Sequence, residues 1–221
     1  MNVRTYLWLI AAAGMCFCAG VNAQTTNMLP NGGFESGKPS TWNAEPGTSA
    51  GAKLTWATDQ YYGGTHSLKI EKPNTGDTAR WISSNNVRYW VDNVAKGVDI
   101  KIGAYVKTSN INMNPAADDA KWQIKTWFYD SAGTVIGGGP FVLDVDQSVG
   151  TKDWYADTNA VGSVILPRKA TKMLMSAEGG PNATGTVWFD NFIFVGRTDW
   201  AGQNWNGFAD ADSGWQYWIA P

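Results

Sequence analysis

The sequence predicts an all-β chain folded as a jelly-roll sandwich of two antiparallel sheets. Three observations predict it. Apolar residues recur with a period of two rather than 3.6, the runs that show this period are short, and clusters of Gly, Pro, Asn and Asp separate them. Such a pattern suits strands with one face on a core and the other in water, joined by tight turns.

The elements follow in order. "HSLKIEK" (His66–Lys72) alternates and reads as a strand. "VDIKIGAYVK" sets Val98, Ile100, Ile102, Ala104 and Val106 on one face and Asp99, Lys101, Gly103, Tyr105 and Lys107 on the other. "WQIKTWFY" separates Trp122, Ile124, Thr126 and Phe128 from Gln123, Lys125, Trp127 and Tyr129. "TVWFDNFIFV" (Thr186–Val195) closes the series. β-Branched and aromatic residues fill these runs, as half-buried pleated surfaces favour. Between them "KPNTGD", "NMNPAADD", "DSAGT", "IGGGP" and "EGGPNATG" carry turn chemistry. "NPAADDAKW" has room for one short helical turn, and there is no amphipathic helix and no internal repeat. Trp122 and Trp188 are expected to be packed, and Trp154 and Tyr155 to be packing residues in a loop.

The chain opens with Arg4, an apolar run from Tyr6 to about Ala19, and the small-x-small sequence Val21-Asn22-Ala23. That pattern predicts a secretory signal peptide over residues 1–23 and an extracellular or cell-surface protein. The run is shorter than the roughly 20 residues of a membrane span. Cys16 and Cys18 both fall within it, so the exported chain has no disulfides and depends on its core. The formal net charge is −2 with no basic run, which excludes the phosphate-binding surface that nucleic acid requires. Thirteen Trp and 25 Gly against a single His suit an extracellular β domain with exposed rings. Strand alternation occupies residues 24–196 and stops after Val195. Residues 197–221 carry Trp200, Trp205, Trp215 and Trp218 without alternation. They read as an aromatic tail or linker, suited to self-association or to an attached domain.

Six stretches then stand in a particular order: "NMLPNGGFESG", "GGTHSLKIEK", "IKIGAYVKTS", "IKTWFYDSAGT", "DWYADTNAVGSVILPRKATKMLM" and "GTVWFDNFIFV". In that order they resemble the landmarks of carbohydrate-binding modules of the family 4/9 type, over about residues 27–195. One departure is an extra glycine in Asn-Gly-Gly-Phe-Glu at the opening motif. The resemblance implies a jelly roll, glycan binding and a structural calcium ion, with Glu35 and Asp190 assigned to the metal. The residues agree. Glu35 ends the first strand region and Asp190 lies in the last strand, and terminal strands of a sandwich are commonly close. Calcium takes six to eight oxygens, mixing carboxylates with carbonyls, and the turns at Gly33 and Gly63–His66 are sources of carbonyls. The other reading makes Glu35 a surface ion-pair partner and Asp190 a turn cap with Asn191. "DADSG" (Asp210–Gly214) is calcium-like but lacks the rest of a binding loop.

A sugar ring has an apolar face and a hydroxyl rim, so its site needs an aromatic platform beside polar groups. The polar faces of the strands supply Lys101, Tyr105, Gln123, Lys125, Trp127 and Tyr129. Arg80, Trp81 and Glu178 lie on neighbouring predicted strands, the register of the first two being ambiguous. One His, His66, with no cysteine argues against zinc, and no nucleophile-elbow motif is present. The expected function is a secreted, non-catalytic module that holds a polysaccharide. The alternatives are a cell-surface assembly protein on the same fold, or the N-terminal module of a larger glycan-degrading enzyme.

Overall fold

The computed structural model describes residues 32–35, 42–45, 47, 51–83, 89–90, 97, 99–112, 115–145 and 150–196. The expected signal peptide, residues 1–23, and the expected tail, residues 197–221 with its Asp210–Gly214 stretch, lie outside the described residues. Among the described residues no helix is long and apolar enough to cross a membrane.

The chain is all-β. Its strands are β1 (Trp42–Glu45), β2 (Lys53–Ala57), β3 (Ser67–Lys72), β4 (Ala79–Ser83), β5 (Tyr89–Trp90) and β6 (Asp99–Ser109), then β7 (Trp122–Tyr129), β8 (Val135–Asp144), β9 (Lys152–Tyr155), β10 (Val161–Ile165), β11 (Lys172–Gly179) and β12 (Gly185–Gly196). The expected helical turn is a single 3-10 turn, Asp118–Ala120. One sheet has the order β1-β4-β11-β7-β8, with β5 also paired to β11. The other runs β10-β6-β12-β3-β2, with β9 also paired to β6. Every pairing is antiparallel.

The core lies between the sheets and follows the period of two. β6 contributes Ile100, Ile102, Ala104 and Val106, and β7 contributes Trp122, Ile124 and Phe128. Met173, Met175 and Ala177 of β11 and Leu68 and Ile70 of β3 complete the facing layers. Packing is tight around Trp122: a Cβ on Gly179 would lie 2.7 Å from its ring, so only glycine fits there. Two local expectations change. "IGGGP" is part of β8 rather than a separate turn, and Trp154 and Tyr155 lie in β9, with Tyr155 buried.

The segment Gly32–Glu35 is a turn rather than a strand end, and it packs on β12. The register of β12 shifts between Asp190 and Ile193, and Asn191 takes a φ of 44°. This bulge turns Phe192 inward, where its N–H donates to the Gly32 carbonyl at 2.8 Å. Phe192, Phe34 and Trp42 form an aromatic cluster with ring centroids 4.7–5.9 Å apart. The beginning and end of the domain therefore meet, which brings Glu35 and Asp190 to one seam.

Candidate functional site

The outer face of the first sheet carries most of the residues expected to contact a ligand. Register sets Glu45 beside Arg80, Arg80 beside Glu178, Glu178 beside Gln123 and Gln123 beside Asp144, a polar row across five strands. The row is fixed by its own bonds. Arg80 Nε donates to Glu45 Oε2 at 2.6 Å, and Gln123 Nε2 to Asp144 Oδ1 at 2.7 Å. Lys125 Nζ donates to Glu178 Oε1 at 2.5 Å, and Ser176 Oγ to Glu178 Oε2 at 2.8 Å. Glu178 is only 5% exposed, so these partners offset the cost of burying its charge.

Beyond this row the same face turns apolar. Ile82, Leu174 and Tyr129 form a cluster separate from the main core, and Trp127 packs against it, half-buried. Thr126 pairs with Phe141 and Phe128 with Ile136, so Gly137, Gly138, Gly139 and Pro140 all stand opposite Trp127 alone. The three glycines have φ of 83°, 87° and 111°, a backbone path that favours glycine. A Cβ at Gly138 or Gly139 would touch nothing within 4 Å. The edge strand thus detours opposite Trp127, with open space around Gly138 and Gly139. Ile82, Leu174 and Glu45 were not singled out from sequence. The signal was the alternation of "ARWIS" (Ala79–Ser83), which the structure resolves as Arg80 and Ile82 outward and Trp81 in the core.

Two expected members of the set are elsewhere. Lys101 and Tyr105 sit on β6, in the second sheet, and face away from the core on the opposite side of the sandwich. Sequence alternation gives the polar side of each strand but not the sheet it joins, so Tyr105 and Lys101 do not share a face with Trp127, Gln123, Tyr129, Arg80 and Glu178. Tyr105 is instead stacked on Tyr62, with centroids 3.7 Å apart and planes at 11°. A hydrogen bond to Tyr62, together with burial, pushes the Tyr105 phenol up. Tyr62 was also missed, although the Tyr61-Tyr62 pair immediately precedes the turn already marked by Gly63–His66.

At the seam, the loop before β3 wraps both carboxylates. Asp190 Oδ2 accepts the N–H groups of Tyr62 at 2.7 Å and Gly63 at 3.0 Å, and Oδ1 accepts that of Asn191 at 2.6 Å. Glu35 Oε2 accepts the N–H and hydroxyl of Thr65, both at 2.8 Å, and Oε1 accepts the His66 N–H at 2.9 Å. The loop was expected to offer carbonyls; the groups it turns to these oxygens are N–H donors. A Cβ on Gly64, whose φ is +69°, would fall 2.2 Å from the Glu35 carboxyl carbon, so glycine lets the carboxylate rest on the turn.

Burial pushes the Asp190 carboxyl up against these three N–H donors, and the Glu35 charge pushes it further. Burial also raises Glu35, but the bonds from Thr65 and His66 prevail and hold it below its ordinary value. A carboxylate has about four acceptor positions. Three donors each leave one position on Glu35 Oε1 and one on Asp190 Oδ1. Those two open oxygens are the hard, anionic donors that a hard cation takes, and they are what this seam offers one. His66 Nδ1 lies 3.8 Å from Glu35 Oε2, and among the described residues no group of three acidic, His or Cys side chains is arranged to hold a metal, so a cation here would need further oxygens beyond these two carboxylates.

No protein-family model matches the sequence, and no curated protein matches it. Solved structures do resemble the fold. The enzymatically active domain of bacteriophage CBA120 tailspike protein 4 aligns with a TM-score of 0.55 at 15% identity, over 76% of this chain and 21% of that one. This chain therefore spans about a fifth of that tailspike domain. The CBM22-1 xylan-binding domain of Paenibacillus barcinonensis Xyn10C aligns at a TM-score of 0.43 and 18% identity, over 74% and 90% of the two chains. A family 16 carbohydrate-binding module aligns at 0.44 and 17%, over 77% and 100%. At these identities the likeness speaks for the β-sandwich alone, and that rests on the tailspike match. The modules reported belong to families 22 and 16 rather than to 4/9.

Proposed function

We propose that this chain is a secreted, non-catalytic module that binds a polysaccharide on the outer face of the first sheet. One observation carries the reading. Trp127, on its apolar cluster and opposite the glycine detour of β8, adjoins a row of immobilised polar groups on the same face. A pyranose ring needs this combination, since its C–H face seeks an aromatic surface while its hydroxyls need fixed donors and acceptors. Arg80, Gln123 and Glu178 serve as the polar groups and Tyr129 as the floor beside Trp127. Among the described residues of this face, the carboxylates of Glu45, Asp144 and Glu178 each accept a bond from a neighbouring side chain. These carboxylates are held as fixed acceptors, which suits the recognition of hydroxyl groups.

Glu35 and Asp190 are proposed to hold a calcium ion, with backbone oxygens completing its shell. When bound, the ion neutralises the two carboxylates. The chain's own residues do the rest: the Phe34–Trp42–Phe192 cluster and the Tyr62–His66 loop lock the opening turn onto β12.

The test of the glycan reading is Trp127→Ala, titrated with xylohexaose and cellohexaose. Affinity is expected to fall about tenfold or more, as at other aromatic anchors. The melting temperature should move little, because Trp127 is outside the main core. Unchanged affinity with a large loss of stability would assign Trp127 to structure instead.

A further inference from the structure

The stacked tyrosines on the second sheet belong to no part of the site above. Tyr62 lies parallel on Tyr105, so one of its ring faces is covered. Tyr62 is nevertheless 48% exposed, which leaves the other face to solvent. Trp154 stands 6.1 Å away with its plane at 62°, forming a wall beside this floor. Tyr61, 44% exposed, precedes it in the chain. The polar edge is close in sequence and in register. Lys107, two residues from Tyr105, bonds Asp153 Oδ1 at 2.8 Å, and Asp153 is the neighbour of Trp154 with its side chain 82% exposed.

Exposed rings on a mobile loop would cost entropy on binding, but this loop is tied. The N–H groups of Tyr62 and Gly63 are held by Asp190, those of Thr65 and His66 by Glu35, and Ser67 Oγ donates to the Gln60 carbonyl at 2.6 Å. Tyr62 is thereby preorganised. The patch is also small and bounded. Lys69 covers Trp188 at 5.1 Å and pairs with Asp59, and the Lys107–Asp153 pair closes the other side. A stable protein interface buries about 800 Å² per partner, and a floor of one ring with one wall offers far less. It is the size of a single sugar ring.

We infer that Tyr62, supported by Tyr105 and walled by Trp154, is a second carbohydrate platform, stacking the apolar face of one pyranose while Asp153 and Lys107 meet its hydroxyls. This rests on the glycan reading of the chain and extends it. The two platforms lie on opposite outer faces of the sandwich, so one short oligosaccharide cannot bridge them. Each binds its own chain, and the module cross-links polysaccharide, gaining avidity on a polymer that neither face has alone.

The full chain, its Tyr62→Ala and Trp127→Ala variants and the double variant are titrated calorimetrically with xylohexaose and cellohexaose, while the Trp154 indole N–H is followed by NMR. The expected stoichiometry with the bound sugar is two for the wild type, one for each single variant and none for the double. The Trp154 signal should move in the wild type and in Trp127→Ala, but not in Tyr62→Ala. If Tyr62→Ala leaves stoichiometry, affinity and the Trp154 shift unchanged while Trp127→Ala abolishes binding, the second platform is overturned and the first-sheet site stands. If Trp127→Ala is silent and Tyr62→Ala abolishes binding, the first-sheet site falls and the platform remains. No binding of either sugar to the wild type overturns both. Trp154→Ala, which leaves the loop intact, replaces Tyr62→Ala should the latter melt early, and it is expected to remove the same site.

Discussion

On the outer face of the first sheet the carboxylate of the Lys125–Glu178 pair lies deep, whereas on that of the second the carboxylate of the Lys107–Asp153 pair stands at the rim. Glu178 is 5% exposed beneath Lys125, while the Asp153 side chain is 82% exposed beside Lys107. The same kind of ion pair therefore does different things. A buried carboxylate that loses its partner is left desolvated, so the first pair fixes the sheet as well as any ligand. The exposed pair is screened by water and adds little to stability, which leaves its groups free to exchange partners with a ligand. The aromatic groups are supported differently too. Trp127 rests on side chains of its own sheet, but Tyr62 is held by backbone N–H groups bound to two carboxylates across the seam.

The largest expected effect separates the core from either face. Trp122 and Trp127 lie on one strand with opposite orientations, and Trp122 is fully buried. Trp122→Ala is expected to cost about 3–5 kcal/mol of unfolding free energy. Chemical denaturation checks it; a loss no larger than that of Trp127→Ala would erase the distinction between core and face.

Removing calcium should have the next largest effect. A ligand present at a hundred times its dissociation constant stabilises the folded state by about 2.7 kcal/mol. Melting with excess calcium and with chelator is expected to differ by several degrees, with the β signal retained below the transition. Chelation should also weaken the Tyr62 platform more than the Trp127 site, because only the former hangs on Asp190 and Glu35. Superimposable melting curves would remove the ion from the seam.

The smallest effect tests the two ion pairs directly. Glu178→Gln weakens the bonds from Lys125 and Ser176 at a nearly buried position and is expected to cost about 1–3 kcal/mol. Asp153→Asn, at the exposed rim, should leave the melting temperature where it is. Equal losses would show that burial does not distinguish the faces.

Much of this was legible before the fold. Alternation alone marks Ile100, Ile102, Ala104 and Val106 as core, and likewise Trp122, Ile124 and Phe128, and all are buried. The polar side of β7 was equally clear, with Gln123, Lys125, Trp127 and Tyr129 all turned away from the main core. The opening and closing motifs pointed to Glu35 and Asp190 as a pair, and one loop, Tyr62–His66, binds both. The loop's use of N–H groups to bind them was not legible, because no local pattern reveals which backbone atoms a turn directs inward. "IGGGP" read as a turn because three glycines resemble one; it is a detour within a strand, and only the register against β7 makes it so.

What the sequence determined by itself is therefore the side of each strand that shuns water. That property is set by neighbours two residues apart and needs no partner. What only the tertiary structure decided is which strands share a sheet. Lys125 meets Glu178 across 53 residues, and β11 lies between β4 and β7 although neither is adjacent to it in the chain. Tyr105 and Trp127, alike in their alternation, consequently end on opposite faces. Pairing is a long-range choice made by backbone hydrogen bonding and by closure of a common core, and it turned one expected aromatic surface into two.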